Sequence, residues 1–125
     1  MTPAKFNAFC RSLPATSYVM QWGGSHVWKV GGKVFAIGGS HGRRATVTFK
    51  VSPIAYEMLR ERQGLRPAPY LASRGLKWIQ HYAEPGLSNA ELRDYLRLSH
   101  AIVARGLSRK RRAELGLTVP SRENS

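Results

Sequence analysis

The chain has 125 residues, enough for one hydrophobic core and too few for two domains. Its 20 Lys and Arg, 14 of them Arg, outweigh 7 Asp and Glu and leave a formal charge of +13. That excess is more than solubility requires and points to a polyanionic partner, nucleic acid ahead of an anionic membrane. The lone Cys10 excludes an intrachain disulfide, no apolar run reaches the length of a membrane span, and no signal-peptide pattern opens the chain, so a cytoplasmic protein is expected.

Thr2-Pro3 reads as the start of a first helix, with Thr as cap and Pro in the first turn. Phe6, Phe9, Cys10 and Leu13 then form one apolar stripe, and Pro14 ends the helix. Within that stripe Cys10 is expected to be a small buried hydrophobe, not a nucleophile. Four β-strands follow, roughly 18–22, 26–30, 33–38 and 44–51, with Gly31-Gly32 as a tight hairpin turn. In the fourth, Ala45, Val47, Phe49 and Val51 alternate with Arg44, Thr46, Thr48 and Lys50. The alternation predicts a sheet with one apolar face under helices and one polar, basic face.

Ser52-Pro53 repeats the capped start for a second helix, whose buried stripe is expected to be Ile54, Ala55, Met58 and Leu59, with Gly64 at its end. The stretch 65–75, with two prolines, predicts a long loop, and 76–82 a fifth strand. Ser88 to Glu91 is a capping box for the longest helix. Its buried face is expected to carry Leu92, Tyr95, Leu96, Ser99, Ile102 and Val103, and its outer face Arg93, Arg97 and His100. Gly106 stops it, and a short basic helix runs from Ser108 to Leu115. The domain is placed at 1–117, with 118–125 as a disordered polar tail. Phe6, Phe9, Leu13, Val47, Phe49, Met58, Leu92, Leu96 and Val103 are the expected core.

Catalytic chemistry leaves little trace. His26, His41, His81 and His100 lack metal-ligand spacing, and Glu57, Glu61, Glu91 and Asp94 sit at ordinary helix-surface positions. Gly38 to Gly42 is rich in glycine, but a strand follows it, whereas a phosphate loop needs a helix N-terminus. No cofactor or metal is implied. The cations are the informative set: Lys29, Lys33, Arg43, Arg44 and Lys50 on or beside the strands, Arg66, Arg74 and Lys77 around the fifth strand, and the run Arg109, Lys110, Arg111, Arg112. Such residues bind phosphates by releasing condensed counterions. Trp22, Trp28 and Trp78 offer stacking faces for bases, although aromatic residues in short strands belong first to the core.

Several ordered landmarks carry a family resemblance: Lys33-Val34-Phe35-Ala36, Phe49 to Pro53, Arg66 to Leu71, Lys77-Trp78-Ile79, Ser99-His100 and Leu107 to Arg112. Together they resemble the MmcQ/YjbR family over about residues 4–117. The resemblance implies a CyaY-like (frataxin-like) α+β fold, with an antiparallel sheet of about five strands and helices on one face, in the order α-β-β-β-β-α-β-α. It also implies DNA binding by a double wing of β-hairpins, with no catalytic residues to carry over. Lys77 and His100 depart from the family's pattern, and the chain lacks the acidic ridge of iron-handling frataxins. The resulting expectation is a binding protein, not an enzyme. It would hold nucleic acid, duplex DNA in the first instance, by Lys33, Arg43, Arg44, Lys50, Arg66, Arg74, Lys77, Arg109, Lys110, Arg111 and Arg112. The alternatives are a module for an acidic protein or small anion, and an enzyme assembled from residues such as His26, His81 and Arg66. A concave pocket with convergent polar groups would favour the enzyme, and a flat basic face nucleic acid.

Overall fold

The computed structural model describes residues 1–71 and 75–117. Helix α1 spans Pro3–Ser12, and the Thr2 side chain accepts a hydrogen bond from the Lys5 amide at 3.2 Å. Strands β1 (Thr16–Gln21), β2 (Ser25–Val30), β3 (Lys33–His41) and β4 (Arg44–Lys50) form a meander. After α2 (Pro53–Leu59) come β5 (Leu65–Pro67) and β6 (Trp78–His81), then α3 (Asn89–Arg105) and α4 (Arg109–Glu114). All strand pairs are antiparallel, and the sheet has six strands in the order β1-β2-β3-β4-β6-β5. The fold is therefore α+β; among the described residues α4 is the short basic helix expected from Ser108, and one strand is added to the expected order. The added strand, β5, lies inside the stretch read as loop. Three residues are too few to show alternation, and pairing with β6 is what makes them a strand.

One face of the sheet is covered by helices. Phe6 and Cys10 of α1, Tyr56 and Leu59 of α2, and Leu92, Leu96 and Val103 of α3 join Trp28, Phe35, Val47, Phe49 and Ile79 in a single buried cluster. Gly38 on β3 lets α1 approach: a Cβ there would collide with the Phe6 ring. Burial holds the Cys10 thiol up at about 12, which keeps it protonated and inert at neutral pH.

A bulge shapes both faces. Trp28 pairs with Ala36 and Lys29 with Val34, so Phe35 is the extra residue on β3. Phe35 and Ala36 thus both enter the core, while Val34 and Ile37 both turn to the opposite face. Three core expectations are corrected. In α2, Met58 and Ile54 are exposed (69% and 76%), and Tyr56 with Leu59 supplies the buried contact, because these two, three residues apart, share the inward face while Ile54 and Met58 share the outward one. His100 is buried instead of solvated: its Nε2 lies 2.8 Å from the Pro14 carbonyl oxygen, and Phe35 meets its ring edge-on. Trp22 leaves the core altogether, standing 60% exposed at the β1–β2 turn.

Candidate nucleic-acid interface

Cross-strand register defines the face away from the helices. One row runs Val19, Val27, Ile37, Thr48, Gln80, Arg66 across all six strands. It is apolar at the β1 side and polar at the β5 side. There the Arg66 Nε donates to Gln80 Oε1 at 2.9 Å, and the Gln80 amide donates to Thr48 Oγ1 at 3.3 Å. The Arg66 guanidinium lies over the Tyr82 ring at 4.3 Å, which further fixes it.

This face is not the flat basic surface that alternation alone predicts. Ala68 binds the Trp78 carbonyl through its amide at 2.9 Å, and the segment it begins folds over the sheet. The result is a groove of about 690 Å³ lined by Trp22, Val34, Ile37, Tyr70, Trp78 and the Thr48–Gln80 pair, among others. Thr48 and Thr46, expected at the solvent, are buried. A second depression of about 470 Å³ lies where the β1–β2 and β3–β4 turns approach each other, lined by residues including Trp22, Gly24, Ser40 and Arg43.

The expected cations fall into groups. Strand direction puts Lys33, Lys50 and Lys77 at the end of the sheet that holds the Gly31-Gly32 turn. Lys29 shares that end, and Lys77 rests its ammonium over the Tyr56 ring at 4.6 Å. Leu107 packs against Gly31, so the run Arg109, Lys110, Arg111, Arg112 on α4 begins behind the same turn. In that run Arg111 pairs with Glu114 at 3.3 Å, and Arg112 donates to the Arg105 carbonyl. Arg43 and Arg44 stand at the opposite end, in and after the β3–β4 turn, and Arg44 meets Glu84 at 3.7 Å. Arg66 lies beside the groove, bonded to Gln80 of its wall. Arg74 lies outside the described residues, as does the polar tail 118–125. Among the described residues Lys33, Arg43 and Lys50 make no ion pair.

His26, His81 and Arg66 are not brought together. His26 and His81 sit in one row on the helix side, separated by β3 and β4 and so by about 14 Å. His26 is bound by Tyr18 Oη at 2.7 Å. His81 Nε2 is buried without a hydrogen-bond partner, and Gly86 lies against it. Among the described residues no three His, Cys, Asp or Glu side chains gather as metal ligands would.

The His81 pKa lies below its ordinary value, chiefly because burial disfavours the imidazolium, with the amino terminus and Arg44 adding repulsion against an attraction from Glu84. In the unfolded chain the group protonates first as pH falls, so stability is intact above about 6.5 and lost progressively as pH drops through the depressed folded value. Urea midpoints measured from pH 8 to pH 5 should show this loss. His81→Leu should make the profile flatter below about pH 6.5; an unchanged profile would reject the assignment.

Sequence reasoning missed Thr48, Gln80 and Tyr70 as groove residues. Thr48 reads as a solvent-facing strand residue, and Tyr70 lies in a proline-rich loop whose path no periodicity encodes. The adjacent Val34 and Ile37 carried a usable signal, since Val34-Phe35-Ala36-Ile37 breaks strict alternation as a bulge does.

The YjbR family model matches residues 11–102. The crystal structure of Deinococcus radiodurans protein DR2400, assigned to the domain family DUF419, superposes with a TM-score of 0.81 at 24% identity, covering 99% of this chain and 94% of that one. At that identity the likeness speaks for the fold. No curated protein sequence matches the chain. With most of the chain matched by the family model, this protein belongs to the YjbR family.

Proposed function

We propose that this chain is a non-enzymatic nucleic-acid-binding protein of the cytoplasm, of CyaY-like architecture, that grips phosphates with the cations of its sheet and hairpin turns. One observation carries the reading. The six strands contain no Asp or Glu at all, yet hold Lys29, Lys33, Arg44, Lys50 and Arg66. The described carboxylates lie on or near helices and in the loop before α3, where five of them pair with Arg at exposed positions. Apart from Arg44, which meets Glu84, these strand cations make no ion pair among the described residues, the arrangement that draws a polyanion. The groove could serve an enzyme as a pocket, but its convergent polar groups, Thr48 and Gln80, are neutral, and among the described residues no nucleophile–base pair lines it.

Fluorescence anisotropy of labelled DNA and RNA across a salt series tests the reading. Each phosphate contact should contribute about −0.9 to the log–log slope, so about five contacts give roughly −4 to −5. Reversing Arg43 and Arg44 to Glu should weaken binding and make the slope shallower. The fold should survive, since the Arg44–Glu84 pair is exposed and contributes little. Absence of binding to DNA and RNA at low salt would sink the proposal and move an acidic protein partner ahead.

A further inference from the structure

We infer that the groove on the open face seats an unpaired base of single-stranded nucleic acid, stacked on Trp22 and edged by Thr48 and Gln80. The inference rests on the phosphate-binding reading and adds the chemistry of the strand. The groove combines an apolar floor of Val34 and Ile37 with aromatic walls from Trp22, Tyr70 and Trp78. Trp22 is held at positive φ on a turn and is 60% exposed, so a large flat surface faces solvent at the groove's mouth. Burying it in a core would have been favourable, and nothing else in the described residues stacks on its ring. A π-face beside a cationic track is the arrangement that holds single strands, because every base offers a stacking surface.

Polar groups give the groove an edge to present. Gln80 uses one amide hydrogen on Thr48 and its oxygen on Arg66, which leaves its second N–H and the Thr48 hydroxyl hydrogen to bond a base edge. Arg66 keeps its terminal N–H groups unbonded among the described residues, suited to a phosphate or carbonyl oxygen.

Charge and length select the ligand. No carboxylate stands on the sheet, so a cationic aromatic ligand has no counter-ion there. Lys50 and Arg44 mark the two ends of β4, seven residues long, and so stand about 20 Å apart. A single nucleotide cannot touch both ends, whereas a strand several nucleotides long can. Duplex DNA fits the groove poorly, because its bases are stacked and paired inside the helix.

The test compares three ligands of about ten nucleotides each, within the usual range for single-strand sites. They are an oligothymidylate, an abasic strand with the same phosphates, and a duplex. Anisotropy with the full chain at low salt should show the base-bearing strand binding about ten-fold or more tighter than the abasic strand. Trp22→Ala should erase that difference while leaving affinity for the abasic strand unchanged, and Trp22→Phe should restore part of it. Trp22 is exposed on a turn, so these variants keep the core intact. Equal binding of base-bearing and abasic strands would overturn the base site and leave phosphate binding standing. No binding by any of the three would overturn both. Thymidine monophosphate competing as well as the strand would show that the ligand is a free nucleotide and overturn the strand assignment.

Discussion

Truncation of Phe49 to alanine should destabilise the protein by about 3–5 kcal/mol, as removal of a large buried aromatic side chain does. Phe49 is fully buried on the central strand β4 and pairs with Ala36 of β3 and Ile79 of β6. Tyr95 of α3 stacks on its ring, with centroids 5.6 Å apart. The cavity cannot close easily. Ladder hydrogen bonds fix β4 on both edges, and the Ser99 hydroxyl of α3 donates to the Lys50 carbonyl at 2.5 Å, holding that helix at its distance. Phe49→Leu keeps most of the volume and should cost about 1–1.5 kcal/mol. Urea denaturation measures both, with a lower midpoint at unchanged slope marking lost stability and not a looser native state. A cost below about 1 kcal/mol for Phe49→Ala would mean that helix and sheet do not meet there.

Much of this core was legible in the sequence, for a definite reason. Val47 and Phe49 alternate with polar neighbours, and Phe6 with Cys10, Leu92 with Leu96, recur at one helical turn; a period is visible wherever one face of an element is dry. The same rule misled for α2. Ile54 and Met58 fit an apolar stripe by spacing, but Tyr56 and Leu59 form a second apolar pair on the opposite side of the helix, and that side is the one buried. His100 was misplaced because spacing marks polarity and not partners: the Pro14 carbonyl, contributed from far along the chain, is what makes its burial possible.

The candidate site was legible as charge and illegible as shape. Lys33, Arg43 and Lys50 are recognisable as cations on a carboxylate-free sheet directly from the sequence. The groove depends on two features that have no period. One is the bulge at Phe35, which turns Val34 and Ile37 to the same face, and the other is the path of the chain from Ala68 to Leu71. Sequence alone assigns an apolar residue to the core; only the pairing register shows that Val27, Ile37 and Trp78 belong to the face opposite the helices.

Gly64→Ala should be among the most damaging single substitutions, at about 3 kcal/mol or more. Gly64 has φ of +90°, a conformation costly for any residue with a Cβ. It also sits under the loop between β6 and α3, where its carbonyl accepts hydrogen bonds from the Tyr82 amide at 3.0 Å and the Ala83 amide at 3.3 Å. A Cβ at this position would overlap the Ala83 carbonyl oxygen and the Gly86 amide nitrogen. Both are backbone atoms, so no rotamer change relieves the clash; the loop must lift, and with it the hydrogen bonds that tie the end of α2 to β6. Gly32→Ala separates the two costs. Gly32 has φ of +82° at the β2–β3 turn, and no atom lies within 4 Å of where its methyl group would stand. Its substitution therefore carries the backbone cost alone, about 1–2 kcal/mol. Chemical denaturation of both variants should place Gly64→Ala well below Gly32→Ala in stability. Equal losses would show that the loop from Ala83 to Gly86 yields freely, and that Gly64 serves only its own turn.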